Sequence, residues 1–276
     1  MDTGVVQIDI DSPDTDVFVY CTTLTADLDH DRVVVRFLKK NPAKITGDAI
    51  NLTTLCESIG KEKSNGLIGL HCFSGGDWGG KFANNTKLKW IKIYMNLDNN
   101  SPLITAFSRL GEEDIDPRSL QSEMEEFVCR CYSKTTNCKD VSSLRWELFR
   151  DHNKEGDQLP PTPDTFTPHL QRSHLIAQIA KGYTSSHPNI PPLVESGWEE
   201  TTTGTISATT CLSDPAPQEV LALTKCACKK ECSNRCSCIK NGLQCTGLCK
   251  CADCPNMSSR YTSESDEEGD EDELGI

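Results

Sequence analysis

Nine cysteines fall between Cys226 and Cys254: Cys226, Cys228, Cys232, Cys236, Cys238, Cys245, Cys249, Cys251 and Cys254. Their spacing is C-x-C-x3-C-x3-C-x-C, then six residues, then C-x3-C-x-C-x2-C. No histidine lies within this window, so a metal here is held by sulfur alone. Tetrahedral zinc takes four ligands, and nine thiolates do not divide by four. Two separate sites strand one cysteine. Three zinc ions need twelve ligand positions, which nine thiolates supply when three of them bridge. The spacing therefore predicts a compact trinuclear zinc cluster, with Cys236 and Cys249 as candidate bridges. A disulfide framework is the rival, but the count is odd. Met1-Asp2-Thr3-Gly4 also begins without the basic and apolar regions of a secretory leader. A disordered, metallothionein-like buffer accounts for the C-x-C pairs, yet not for Ile239, Leu243 and Leu248 placed between the cysteines.

Charge around the window suggests a partner. Lys225, Lys229, Lys230, Arg235, Lys240 and Lys250 stand against Glu231 and Asp253. Nine thiolates and three dications leave a cluster of charge −3, so part of this basic charge only neutralises the metal core. The remainder either solvates the core or contacts a few phosphates of DNA or chromatin, weakly and with strong salt dependence. Lys229, Lys230, Arg235 and Lys240 are the candidate contacts. The chain as a whole carries −13, and eight acids crowd the segment from Glu264 to Glu273. Such a run cannot bury apolar surface and is expected to be a disordered tail, solvating or competing for the basic cluster beside it.

The window resembles the tesmin-type CXC domain, in which nine cysteines hold three zincs on a DNA-associated module. Asn241-Gly242-Leu243 ahead of Cys245 and Lys250 between paired cysteines carry the likeness. The spacing before the third and fourth cysteines is one residue shorter than that family's. Arg235 stands where the family places a DNA-contacting tyrosine. The resemblance implies the metal scaffold in full and the DNA contact in part.

Upstream, Val5–Ile8, Val17–Cys21 and Val33–Leu38 read as strands, and the Leu67–Leu70 run as a fourth apolar stretch. Thr46–Ile59 reads as a helix. Strands alternating with helices predict a largely parallel sheet covered on both faces. From Ser101 the pattern turns helical. Leu103–Phe107 is one short helix, and Asp116-Pro117 opens another whose face is Leu120, Met124, Phe127, Val128 and Cys131. Val141, Leu144 and Leu148 mark a third, and Leu170, His174, Ala177 and Ala180 a fourth. Trp78, Trp90, Trp146 and Trp198 read as core, and Cys129, Cys131 and Cys138 as structural. His71 is expected to satisfy a backbone carbonyl at a strand end.

Asp14 and Asp16, before the Val17–Cys21 run, and Asp77, in a glycine-rich loop, are candidate carboxylate ligands for Mg²⁺. Paired ions of that kind drive phosphodiester cleavage, although aspartates also crowd turns for backbone reasons. The strings Ser12-Pro13-Asp14-Thr15-Asp16-Val17-Phe18-Val19 and His71-Cys72-Phe73-Ser74-Gly75-Gly76-Asp77 resemble the PIN/flap-endonuclease-like domain of transposon-derived animal proteins. The likeness continues through Phe127-Val128-Cys129, Leu144–Phe149, Leu159–Thr162 and Gly197-Trp198. It implies Asp14, Asp16 and Asp77 as metal ligands. It also implies further strands and acids upstream of Asp14, so the expectation is an incomplete nuclease-like domain without activity.

The expected organisation is a partial α/β PIN-like domain over 1–100, a helical extension over 101–200 and a linker over 201–224. A CXC zinc module over 225–256 and a disordered acidic tail over 257–276 follow. No run approaches eighteen uninterrupted apolar residues, which excludes a helical membrane span. Cysteine usage without a leader points to a reducing compartment, nucleus or cytosol. The expected function is DNA or chromatin association through zinc. A metal-dependent nuclease and an interaction scaffold with a purely structural cluster are the rivals.

Overall fold

A computed structural model describes residues 6–31, 33–38, 49–76, 80–152, 154–182, 185–187, 189–213, 226–229, 232–240, 243–246, 249–251 and 254–256. The predicted acidic tail, linker residues 214–224, Asp77, Trp78 and Lys230 lie outside the described residues. The chain divides into two units, Met1–Leu212 and Ser213–Ile276.

The first unit is mixed but mainly helical. Strands β1 (Val6–Asp11), β2 (Val33–Leu38) and β3 (Ala49–Asn51) form one small sheet in that order. β1 pairs with β2 in parallel and β2 with β3 antiparallel. This corrects the expected parallel sheet covered on both faces: it is short and mixed, and β1 is exposed along most of its length. Val35 and Phe37 of β2 are buried beside Leu52, with Phe18 edge-on to Phe37.

Two apolar runs read as extended are helices. Val17–Cys21 lies inside α1 (Thr15–Thr25), whose N-cap is Asp14. A five-residue apolar run does not distinguish strand from helix by period. Here the cap and side-chain hydroxyls settle the choice, with Thr22 Oγ1 donating to Phe18 O and Thr25 Oγ1 to Cys21 O. Within Thr46–Ile59, β3 and then α2 (Leu52–Ile59) replace the single predicted helix. Asn51 ends the strand and caps the helix by accepting from Thr54 N at 3.0 Å. A short helix α3 (Lys61–Asn65) leads into α4 (Leu67–Phe73), the second misread run. α4 is buried on nearly every side, so it carries no amphipathic stripe. Gly69 is there for proximity, since a Cβ on it would sit 2.1 Å from Phe107 O.

The remaining helices follow the apolar spacing. They are α5 (Lys87–Met95), α6 (Pro102–Arg109), α7 (Gln121–Tyr132), α8 (Val141–His152) and α9 (Pro163–Lys181). Leu120, Met124, Phe127, Val128 and Cys131 are all buried, as their periodicity predicts. Cys129 is buried too, because α7 packs against α5, α6 and α8. The core is aromatic: Phe73 meets Phe82, Trp90, Phe107 and Phe166 with ring centroids 5.3–6.0 Å apart. Trp90 belongs to it, but Trp146 is 60% exposed. It lies on the face of α8 opposite Val141, Leu144 and Leu148 and stacks on Phe149.

Pro168 interrupts α9 without ending it. A proline cannot donate to the carbonyl four residues back, and here Asp164 O accepts instead from Leu212 N at 3.0 Å. The hairpin β4 (Trp198–Glu200) and β5 (Ile206–Ala208) is drawn onto the same helix. Gly197 adopts φ 87° and lies so close that a Cβ would be 2.5 Å from Pro168 O. Among the described residues, no helix is long and apolar enough to cross a membrane.

Candidate metal centre

The cysteine-rich unit has little regular structure, and its backbone hydrogen bonds close loops around sulfur. Cys236 N donates to Ser233 O at 2.8 Å and opens one helical turn, Ser237–Lys240. Cys245 N donates to Asn256 O at 2.8 Å, and Lys250 N to Cys226 O at 3.1 Å, tying the second half of the window to the first. Asn256 Nδ2 donates to Leu243 O at 3.0 Å and approaches Cys245 Sγ at 3.3 Å. Six cysteines are buried, and Ile239 packs against them. Leu243, expected to help fill the interior, is exposed, and Leu248 lies outside the described residues.

The folding of these loops gathers the thiols into three overlapping groups of four. Cys226, Cys232, Cys236 and Cys245 form one; Cys226, Cys238, Cys245 and Cys249 the second; Cys232, Cys245, Cys251 and Cys254 the third. Within each, all four sulfurs lie within 4.8 Å of one another. All nine cysteines are free of disulfides. Their separations are 3.7 Å for Cys226–Cys232, 3.6 Å for Cys232–Cys245, 3.6 Å for Cys238–Cys249 and 3.5 Å for Cys251–Cys254. A tetrahedral zinc with bonds of about 2.3 Å sets its sulfurs about 3.8 Å apart. The donor set and its spacing fit zinc, and this cluster can hold it. Cys226, Cys232 and Cys245 belong to more than one group, whereas Cys236 and Cys249 belong to one each. Cys228 belongs to none of the three groups, although Cys226, Cys232 and Cys236 act on its proton affinity.

The local field favours some thiolates and opposes others. The Ile239 backbone N–H pulls the Cys236 thiol down to about 6. Against the upward push of desolvation, the N–H groups of Cys226 and Thr246 bring Cys249 to about 7. Desolvation and neighbouring sulfurs push Cys238 and Cys251 up. Crowded thiolates repel one another, and a bound dication removes that conflict. Lys229, Arg235, Lys240 and Lys250 are exposed around this unit.

The carboxylates of the first unit have other partners. Asp14 Oδ1 accepts from Asp16 N at 2.9 Å as the cap of α1. Asp16 Oδ1 lies 3.0 Å from His71 Nε2, and Lys87 Nζ lies 3.5 Å from the same nitrogen. His71 is therefore a buried partner of Asp16 on a helix, where the sequence suggested a strand-end residue holding a carbonyl. Burial and then the Lys87 cation push it down, against Asp16 and Asp14. The sequence around Lys87, Asn84-Asn85-Thr86-Lys87, carries no motif that assigns it to this pair. Among the described residues, the groupings able to hold a metal are all of cysteine.

No protein-family model, curated protein or solved structure matches this chain.

Proposed function

We propose that this chain is a trinuclear zinc protein that associates with DNA or chromatin through its cysteine-rich unit. The overlap of the three sulfur quartets carries the reading. Cys245 occurs in all three, while Cys228 occurs in none but is acted on by three members of the first. Replacing Cys245 by Cys228 in the first quartet yields a consistent assignment. One zinc takes Cys226, Cys228, Cys232 and Cys236. The second takes Cys226, Cys238, Cys245 and Cys249, and the third Cys232, Cys245, Cys251 and Cys254. Every ion then has two bridging and two terminal thiolates, and all twelve ligand positions are filled by nine sulfurs. The bridges are Cys226, Cys232 and Cys245, not Cys236 or Cys249. The resemblance to the tesmin-type CXC domain points the same way.

Exposed Lys229, Arg235 and Lys240, with Lys230 between them in sequence, supply positive charge for phosphate. Counterion release makes such binding weak, salt-dependent and tolerant of base sequence. A nuclear site of action follows from that partner. Elemental analysis of purified protein should give three zinc ions per chain. Cys232→Ser, at a bridge, should lose more zinc than Cys236→Ser, at a terminal position; equal losses would reject the bridge assignment. Duplex DNA titrated at rising salt should give a slope that falls by about one on Arg235→Ala. Absence of binding at low salt would leave the cluster a structural element of an interaction scaffold.

A further inference from the structure

Arg172, on α9 in the first unit, is 6% exposed. Its Nη1 donates to Gly197 O at 2.8 Å and Thr209 O at 2.6 Å, and its guanidinium centre lies 6.0 Å from the Trp198 ring. These contacts clamp the hairpin but bring only partial charges. Its Nε is buried with no hydrogen-bond partner. Among the described residues, no carboxylate forms an ion pair with it. A buried cation costs several kcal/mol unless a counter-charge meets it. Desolvation accordingly pushes its proton affinity down, with no acid opposing that push.

Arg172 lines a cavity of about 320 Å³. Lys81 lines it as well, and Thr210 adds a hydroxyl. Phe82 and Leu159 give it apolar wall, and among the described residues no carboxylate is part of the lining. His169 also faces it, but burial holds that imidazole neutral by pushing it down to about 4, while Nε2 meets Phe73 O at 2.8 Å. The cavity thus offers two cations, unopposed, beside an apolar surface. Its volume is at the small end of ligand pockets, enough for a single ring with one anionic group.

We propose that this cavity binds a small organic phosphate monoester, with the phosphate paired by Arg172 and Lys81 and its carbon skeleton against Phe82 and Leu159. A monoester carries nearly two negative charges at neutral pH, which matches two cations where a carboxylate offers one. Its oxygens also suit a guanidinium, which can pair with more than one of them at once. None of the lining belongs to the cysteine-rich unit, so this site stands or falls apart from the zinc reading.

The test is calorimetric titration of the zinc-loaded full chain with phenyl phosphate, inorganic phosphate and benzoate. Phenyl phosphate should bind one per chain and more tightly than the other two. Lys81→Ala, at an exposed position that leaves the core intact, should weaken it roughly tenfold. Paired Arg235→Ala and Lys240→Ala substitutions should leave it unchanged. Arg172→Leu should abolish binding, but it also removes the hairpin clamp, so Lys81→Ala carries the decision. Failure to saturate would make Arg172 a clamp alone and overturn the site. So would equal affinity for benzoate, or loss of binding through Arg235 and Lys240 while Lys81→Ala has no effect.

Discussion

The two units of this chain solve the same problem with different materials. The Met1–Leu212 unit buries Phe73, Trp90, Phe107, Phe127 and Phe166, and its helices exist to cover that aromatic centre. Among the described residues of the cysteine-rich unit the buried side chains are thiols, with Ile239 beside them. An interior of thiols in place of hydrocarbon needs another source of cohesion, which metal–thiolate bonds at these sulfurs would supply. Stability in the first unit is therefore spread over many contacts, whereas in the second, on the proposed reading, it rests on a few bonds and on the ions that make them.

The largest effect should separate the units outright. A strong chelator should unfold the cysteine-rich unit, seen as full reactivity of its thiols, because zinc binding and folding are one event there. Tryptophan fluorescence should not move, since all four tryptophans precede Ser213. A fluorescence change on chelation would mean that the first unit also depends on metal. The converse is a core truncation. Phe107→Ala leaves a void beside the rings of Phe73, Tyr94 and Phe127 and should cost about 3–5 kcal/mol in urea unfolding followed by tryptophan. Zinc content should stay at the wild-type value.

Acid should weaken the first unit through a group with no role in metal binding. His169 is held near 4 in the folded state against an ordinary value of 6.5. Between those values the unfolded chain takes a proton that the native chain refuses, so stability falls as pH falls from 6.5 toward 4. The loss is about 3 kcal/mol for a shift of this size. Burial pushes His71 and His174 in the same direction. Urea midpoints at pH 7 and pH 5 should differ less in His169→Gln than in the parent, and an unchanged difference would reject the assignment. The smallest effect concerns Asp14. As the cap of α1, its replacement by alanine should destabilise the first unit by about 1 kcal/mol. A neutral or stabilising result would mean that its negative charge costs as much as the cap contributes.

Legibility differed between the units for reasons of range. Ligand chemistry is written in residue type and close spacing, so the eight cysteines that the fold gathers into quartets could be named from the sequence. Which of them bridge could not, because sharing depends on how Cys226 and Cys245, nineteen positions apart in numbering, are brought round to the same ion. The α7 and α8 faces were legible because each packs one stripe of every third or fourth residue. Helix α4 was not, since a segment buried all round has no stripe, and its Gly69 marks contact with Phe107 instead of a turn. Helix α1 was hidden by its β-branched residues until Asp14 and the threonine hydroxyls were seen to satisfy its backbone.

From composition and spacing alone came a sulfur-only metal site, basic residues around it, an acidic far end and amphipathic helices. These are local properties, carried by side-chain type and short-range period. The tertiary structure decided the mixed character of the small sheet, the partnership of Asp16 with His71, the exposure of Trp146, the shared sulfurs and the uncompensated charge of Arg172. Each of those depends on which distant segments meet, and sequence spacing does not encode that meeting.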